Sequence, residues 1–323
     1  MDHELFSIPE GVCDAAAGLR GRRGVVGVFW GQGRTSGEWS RDGQICVQVV
    51  EKLSDEVLSD AERLPRRIGR YRVDVEEVGI PMLDSDPCRS SRLDPMDTCR
   101  DGSWRRFSTI SAMSGDLVLV SGHACLPLDE DGKRFVRAYA WGGGDAVPVY
   151  VVDRQTQCIH NARLEQGSFG DRGAVDWAVA RLDEAYVDRV NAFHVGVGHV
   201  PPFRVRTTRL VRGESLSHFS TTLSTPGFVS GTYRRVVTRE TSMRLGSPDG
   251  SWAWYRDVLA IAWGERLPFS RPGDSGSLVV DSDARVVGTV LGSSARSRES
   301  FVLPVTELRS RMQRDQYAQF FKE

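Results

Sequence analysis

A succession of short apolar segments, separated by turn residues, fills the chain from Trp104 onward. The segments are rich in Val, Ile and Leu, and Gly, Asp and Pro stand between them, which is typical of antiparallel barrels and sandwiches. They include residues 117–120, 147–152, 175–180, 258–263, 278–280 and 286–291. The pattern therefore predicts a mainly β unit over residues 104–323.

A mixed pattern precedes this unit. Apolar, β-branched segments predict strands over residues 24–30, 45–50 and 71–78. Polar residues with helical spacing predict a helix over 54–63, which Ser54 can cap and Pro65 ends. We therefore expect a small N-terminal α+β domain over residues 1–83.

Two further segments complete the predicted organisation. Residues 84–103 are rich in Ser, Asp, Arg and Pro without periodicity, and they predict a linker between the two domains. Residues 305–321 contain no Gly or Pro and space their apolar side chains at near-helical intervals, which predicts a C-terminal amphipathic helix.

The segment PGDSGSLVV, from Pro272 to Val280, places a Gly-Asp-Ser-Gly turn directly before a predicted strand. If Ser275 is a nucleophile, the oxyanion formed on attack needs converging backbone N–H donors. Gly273 permits the backbone angles that direct its amide inward, and Gly276 keeps bulk away from the attacking hydroxyl. The same tetrapeptide also serves as an ordinary turn, so this interpretation requires a base and an acid elsewhere in the chain.

His123 and Asp176 are the candidates for that base and acid. His123 follows the predicted strand 117–120, and an imidazole exchanges protons near neutral pH. Asp176 opens an apolar strand, where a partly buried carboxylate requires a partner and can orient an imidazole. Asp171 and Asp183 remain alternatives for the acid.

The candidate residues occur in the order His, Asp, Ser, as in chymotrypsin-like enzymes and unlike subtilisins or α/β-hydrolases. Ser277 also stands where the Gly-x-Ser-x-Gly elbow of α/β-hydrolases requires its second glycine. On these motifs, residues 104–303 resemble the trypsin-like (chymotrypsin-fold) serine peptidases. The resemblance implies two antiparallel six-stranded barrels with a site in the crevice between them, and a serine endopeptidase activity on peptide bonds.

A closer resemblance is to the intracellular trypsin-like proteins of bacteria, fungi and plants, the group that includes narrow leaf. It is based on the Val-Val-Gly-Val strand at 25–28, the segment 73–79 and the phrase at 268–277. The chain departs from the secreted relatives, because they carry a cysteine directly after the histidine and Cys125 is displaced by one position.

The resemblance implies roles for further residues. The amides of Gly273 and Ser275 would form the oxyanion hole. The substrate pocket would be lined by Phe269, Ser270, Leu291 and Gly292. Because Phe269 stands six positions before the nucleophile, where trypsin-like enzymes carry the pocket floor, we expect a pocket for small or apolar side chains. The alternative is that Phe269 turns into the barrel core.

The composition excludes several other classes of protein. Lys and Arg number 42 against 43 Asp and Glu, so nothing favours nucleic acid or an anionic membrane as a partner. No run approaches the roughly 18 apolar residues of a membrane helix, and the first residues lack the features of a secretory signal, so we expect a cytoplasmic, intracellular protein.

The six cysteines are scattered, which suits reduced thiols; Cys88 with Cys99 is the one pair to test. The pairs His123-x-Cys125 and Cys158-x-His160 are spaced unlike structural zinc ligands, so we expect neither a metal nor a cofactor.

The expected partner is a protein or peptide substrate. Two other functions stay open. The chain could be a catalytically silent pseudoenzyme that acts as a binding scaffold, with its crevice closed by residues 1–103. It could also be a subunit of a homo-oligomer or larger assembly, with contacts through the N-terminal domain and the C-terminal helix.

Overall fold

The computed structural model describes residues 8–9, 11–35, 38–54, 56–83, 86–87, 106–107, 109–126, 138–140, 148–153, 158–169, 175–183, 203–220, 227–237, 243–246, 252–314, 317 and 320–322. The protein is mainly β, as the sequence predicts. Its helices are α1 (Val12–Ala17), α2 (Gly122–Cys125) and α3 (Val305–Arg314). Its strands are β1 (Val25–Thr35), β2 (Glu38–Val49), β3 (Arg67–Ile68), β4 (Tyr71–Glu77), β5 (Met82–Leu83), β6 (Asp86–Pro87), β7 (Arg106–Phe107), β8 (Ala112–Ser114), β9 (Leu117–Val120), β10 (Ala138–Ala140), β11 (Pro148–Asp153), β12 (Cys158–Phe169), β13 (Asp176–Leu182), β14 (Phe203–Arg204), β15 (Ser215–Ser220), β16 (Gly227–Val237), β17 (Met243–Gly246), β18 (Trp252–Tyr255), β19 (Leu259–Trp263), β20 (Leu278–Val280), β21 (Val286–Ser294), β22 (Glu299–Pro304) and β23 (Phe321–Lys322).

Six strands in the C-terminal half form a closed antiparallel barrel. Their hydrogen-bonded order is β15, β16, β19, β22, β21 and β20, and β20 pairs with β15 to complete the ring. Alternate residues of these strands point inward, as the two-residue strand repeat requires, and buried side chains such as Leu216, Tyr233, Ile261 and Val279 fill the interior. Closure removes the strand edges that would otherwise be open to association.

A six-stranded antiparallel sheet stands where the first barrel is expected, and no pairing among its described strands closes it into a ring. Its strands β8, β9, β13 and β12 follow one another, and β12 pairs further with β10 and β11. A separate small core lies on it, including Met113, Val118, Ala162 and Ala180. The predicted strand over 117–120 is confirmed at both ends by β9.

The N-terminal strands continue the sheet of the second barrel. Strand β1 pairs with β16 through Phe29 opposite Val237, and β2, β4 and β3 follow outward from β1. Buried apolar side chains between these strands and α1, among them Val12 and Ile45, give this region a core of its own. The boundary drawn between residues 1–83 and 104–323 stays a prediction, and most of the predicted linker 84–103 lies outside the described residues, as does the Cys88–Cys99 pair.

Buried charges join the N-terminal strands to the barrel. Arg235 of β16 is fully buried, and its Nη2 donates to Glu76 of β4 at 2.6 Å and to Glu299 of β22. Gln48 of β2 donates to the same Glu299 carboxylate at 2.9 Å. Burial raises the pKa of Glu299, and the Arg235 cation opposes that rise. This cluster therefore links four strands from both parts of the chain.

The predicted helix over residues 54–63 is wrong. The described residues there form turns, and the Glu62 carboxylate accepts hydrogen bonds from the backbone N–H and the hydroxyl of Ser59 at 3.0 and 2.8 Å. Val57 is 62% exposed, so this apolar side chain does not supply the packing that could stabilise a helix there.

The C-terminal helix begins as predicted but is shorter. Helix α3 ends at Arg314, and the Tyr317 N–H bonds to the carbonyl of Met312 at 2.8 Å. Phe320 and Phe321 are buried, and Phe321 pairs in parallel with Phe203. The aromatic end of the chain is therefore held by tertiary packing and a short strand.

Candidate active site

His123, Asp176 and Ser275 meet where the six-stranded sheet adjoins the closed barrel. The Ser275 Oγ lies 2.9 Å from His123 Nε2, and His123 Nδ1 forms a short hydrogen bond with Asp176 Oδ2. The backbone N–H of His123 donates to Asp176 Oδ1 at 2.9 Å. All three side chains are buried, and His123 and Ser275 are 0% exposed. The three residues that the sequence singled out are thus in one hydrogen-bonded chain.

The six-stranded sheet positions the imidazole of His123 and the carboxylate of Asp176. Strands β9 and β13 are paired through Val120 opposite Ala178, so the start of α2 after β9 lies beside the start of β13. Gly122 allows the close approach, since a Cβ there would lie 2.6 Å from the carbonyl of Ser168 and 3.0 Å from Asp176 Oδ1. Of the alternative acids, Asp183 lies at the opposite end of β13, and Asp171 is outside the described residues.

The second barrel supplies Ser275 from the turn before β20. Gly273 has a φ of 96° and Gly276 a φ of 83°, values in the left-handed region that glycine adopts without strain. The turn is bonded both to Thr109, just before the six-stranded sheet, and to the closed barrel, because the Thr109 N–H bonds to the Ser275 carbonyl at 2.8 Å and the Gly276 N–H bonds to the Val290 carbonyl at 2.9 Å. These hydrogen bonds therefore hold the turn, and with it the Ser275 hydroxyl, in a fixed position.

The expected oxyanion donors belong to the same turn. Among the described residues, no acceptor is hydrogen-bonded to the backbone N–H of Gly273 or of Ser275. The carbonyl of Gly273 accepts a hydrogen bond from Thr109 Oγ1 at 3.0 Å. The arrangement is compatible with two amides that bind a negatively charged oxygen beside Ser275.

A layer of buried polar side chains lies behind Ser275. Asp274 accepts from the Ser220 hydroxyl at 2.8 Å and from the Arg271 N–H at 3.1 Å. His218 is buried against the Phe269 ring, with centroids 4.8 Å apart, and its Nε2 bonds to the Phe269 carbonyl. Burial lowers the pKa of His218, so its neutral form is favoured. This layer supports the turn without touching Ser275 Oγ.

The residues expected to line the substrate pocket are spread over several environments. Phe269 is fully buried in the interior of the second barrel. This is the second of the two positions considered from the sequence, in the barrel core and not at the floor of the substrate pocket. Ser270 Oγ donates to Ser300 Oγ at 2.8 Å, and Leu291 belongs to the core between the barrels. Gly292 is paired with Leu83 of β5.

Sequence reasoning missed Ser121, whose hydroxyl lies 2.8 Å from Ser275 Oγ. The one feature of the sequence that could have indicated Ser121 is its position in the segment SGHACL, two residues before His123. A serine at a strand end is too common to single out without its spatial partner.

Neither a metal site nor a spanning helix emerges from the described ranges. They contain no group of three or more His, Cys, Asp or Glu side chains arranged to hold a metal ion. In that same part of the chain, no helix has the length and apolar character needed to cross a membrane.

Comparison with known proteins gives matches to solved structures alone. No protein-family model and no curated protein matches the chain. The inactive form of the Rv3671c protease of M. tuberculosis is 18% identical, with 64% of this chain and 82% of that chain covered and a TM-score of 0.37. A serine endoprotease from Yersinia pestis is 14% identical, with 65% and 57% covered and a TM-score of 0.34. An HtrA-type protease, AlgW, solved with a decapeptide, is 16% identical, with 74% and 63% covered and a TM-score of 0.40.

The fold class follows from the strand pairing of the chain itself. A closed six-stranded antiparallel barrel stands beside a second six-stranded antiparallel sheet, with the candidate site between them. The protein therefore has a mainly β, chymotrypsin-type fold.

Proposed function

We propose that the protein is an intracellular serine endopeptidase in which Ser275 is the nucleophile, His123 the general base and Asp176 the orienting acid. The observation that carries this proposal is the unbroken hydrogen-bonded chain from Ser275 Oγ through both ring nitrogens of His123 to Asp176. Membership of the intracellular trypsin-like group is part of the proposal, as is a protein or peptide substrate.

The geometry supports a two-step acyl transfer. Ser275 Oγ attacks the peptide carbonyl carbon while its proton passes to His123 Nε2. Asp176 holds the proton of Nδ1, which keeps Nε2 available as acceptor and stabilises the imidazolium that forms. The amides of Gly273 and Ser275 bind the oxyanion. The imidazolium then protonates the leaving amine, and water repeats the sequence on the acyl-enzyme.

Labelling with a small alkyl fluorophosphonate tests the nucleophile. We expect the phosphonyl group on Ser275 of the wild type, located by peptide mass spectrometry, and no labelling of Ser275→Ala. The matched control is Ser282→Ala, which removes an exposed serine hydroxyl close in sequence and should label like the wild type. An unlabelled wild type would favour the silent scaffold, and labelling that survives in Ser275→Ala would assign the reactivity to another residue.

Cleavage of a peptide library tests the endopeptidase activity. Internal peptide bonds should be hydrolysed by the wild type and by Ser282→Ala, and not by Ser275→Ala. A protein that labels at Ser275 but hydrolyses only simple esters would contradict the assignment of peptide bonds as substrate.

A further inference from the structure

One edge of strand β21 contacts the turn that holds Ser275 and, further along, pairs with the short strand β5. Strand β22 pairs with β21 from Gly288 to Ser294 and so takes the whole of one edge over that stretch. The opposite edge pairs with β20 as far as Thr289, and the Gly276 N–H then bonds to the Val290 carbonyl. Past Val290, the segment that holds Ser275 no longer pairs with this edge of β21. Strand β5 pairs with the edge there instead, at Gly292 and Ser293.

Strand β5 is held there from both sides. Leu83 pairs with Gly292 and Met82 with Ser293, both antiparallel, while Met82 also pairs in parallel with Gly246 of β17. The Gly246 N–H donates to the Pro81 carbonyl at 2.7 Å, and the Ser294 hydroxyl donates to the Val78 carbonyl at 2.7 Å.

Gly292 is shaped for this contact. A Cβ at Gly292 would lie 2.1 Å from the carbonyl oxygen of Met82, so any other residue would displace the segment. Met82 itself is partly exposed at its side chain, so the segment is held mainly through its backbone.

The position of β5 bears on what Ser275 can attack. An extended peptide binds a free strand edge by adding a strand, with main-chain hydrogen bonds as the source of affinity. A peptide whose carbonyl reaches Ser275 Oγ and whose acyl side continues along β21 must pair with Gly292 and Ser293. That stretch is already paired, and Ser275 is 0% exposed.

We propose that the backbone of β5, at Met82 and Leu83, occupies the acyl-side strand edge of the site and thereby sets which acyl groups reach Ser275. With β5 in place, Ser275 reacts with acyl groups too short to pair with Gly292 and Ser293. Extended peptides react only when β5 leaves the edge. This inference rests on the proposed function, since it assumes that Ser275 is the nucleophile.

Two probes used side by side measure separately how fast Ser275 reacts with a short group and with an extended peptide. One is a small alkyl fluorophosphonate, and the other is a diphenyl phosphonate carrying four apolar residues on the acyl side. The variant Met82→Pro removes a strand N–H and cannot keep the ladder, whereas the control Met82→Ala keeps the backbone. We expect the ratio of the rate constants, peptidyl probe over small probe, to rise at least about tenfold in Met82→Pro, because strand hydrogen bonds no longer compete with the peptide. In Met82→Ala the ratio should stay at the wild-type value.

A second variant keeps the test valid if Met82→Pro does not fold. Replacement of residues 80–83 by Gly-Ser-Gly-Ser keeps the chain length and removes the apolar side chains, and it should raise the same ratio. Equal ratios in the wild type and in both disrupted variants, each with a wild-type circular dichroism spectrum, would overturn the role of β5 and leave the nucleophile intact. If the small probe labels no variant at all, the proposed function fails, and this inference fails with it.

Discussion

Replacing Arg235 by Met should cause a large loss of stability, because it leaves two carboxylates buried without their cation. Arg235 and Glu299 are both fully buried, and Glu76 is largely so. Removing one partner of a buried ion pair costs about 3–5 kcal/mol of unfolding free energy. Unfolding entropy is about 2.1 cal/mol/K per residue, so a chain of 323 residues should lose about 4–7 °C in melting temperature.

The loss should also depend on pH with a defined sign. Burial already raises the pKa of Glu299, and without the Arg235 cation that pKa rises further. A carboxyl whose pKa is higher in the folded than in the unfolded state contributes stability that is present at low pH and lost as pH rises through the folded-state pKa. Arg235→Met should therefore be more destabilised at about pH 8 than at about pH 5.

Thermal unfolding followed by circular dichroism at the two pH values measures both effects. The matched control is Arg256→Met, which removes an exposed arginine and should melt close to the wild type. Adding Glu299→Gln to Arg235→Met should restore part of the loss, because one buried charge is then removed. A melting temperature of Arg235→Met that matches Arg256→Met at both pH values would refute the reasoning.

Three other perturbations test the site and the core. Asp176→Asn should slow fluorophosphonate labelling of Ser275 by about 10⁴-fold, since the amide no longer fixes the His123 tautomer; a loss below about tenfold would contradict the role of Asp176. Phe269→Ala should lower the unfolding free energy in urea by about 3–5 kcal/mol, and a change of cleavage preference without that loss would place Phe269 in a pocket instead of the core. His218→Gln should flatten the fall of stability between about pH 7 and pH 5, because burial lowers the pKa of His218 and the wild type loses stability as pH falls; an unchanged slope would mean that other groups cause it.

The strands that the sequence predicted best are those bounded by strong turn signals. Residues 117–120 and 278–280 are apolar runs between Gly, Ser and Asp residues, and they match β9 and β20 at both ends. Local chemistry was also sufficient to select Ser275 and His123, because a glycine-flanked turn and a strand end are readable from neighbouring residues. The structure brings these two residues together.

What the sequence could not predict depends on distant partners. Nothing in residues 80–83 indicates that they lie against Gly292, because a two-residue strand has no period and its partner is far along the chain. The helix expected over 54–63 failed for the opposite reason. Its local spacing was helical, but Val57 is exposed and the segment is held by polar contacts such as that of Arg22 with the Ala61 carbonyl, so apolar packing does not stabilise a helix there.

The pairing of β1 with β16 determines when this part of the sheet can form during translation. Phe29 leaves the ribosome early, while its partner Val237 follows only after the intervening chain has been translated. At about 5–20 residues per second, that interval lasts about 10–40 s. The ring of the second barrel can close only later still, once β22 has been translated, so the turn that holds Ser275 leaves the ribosome before its own barrel is complete.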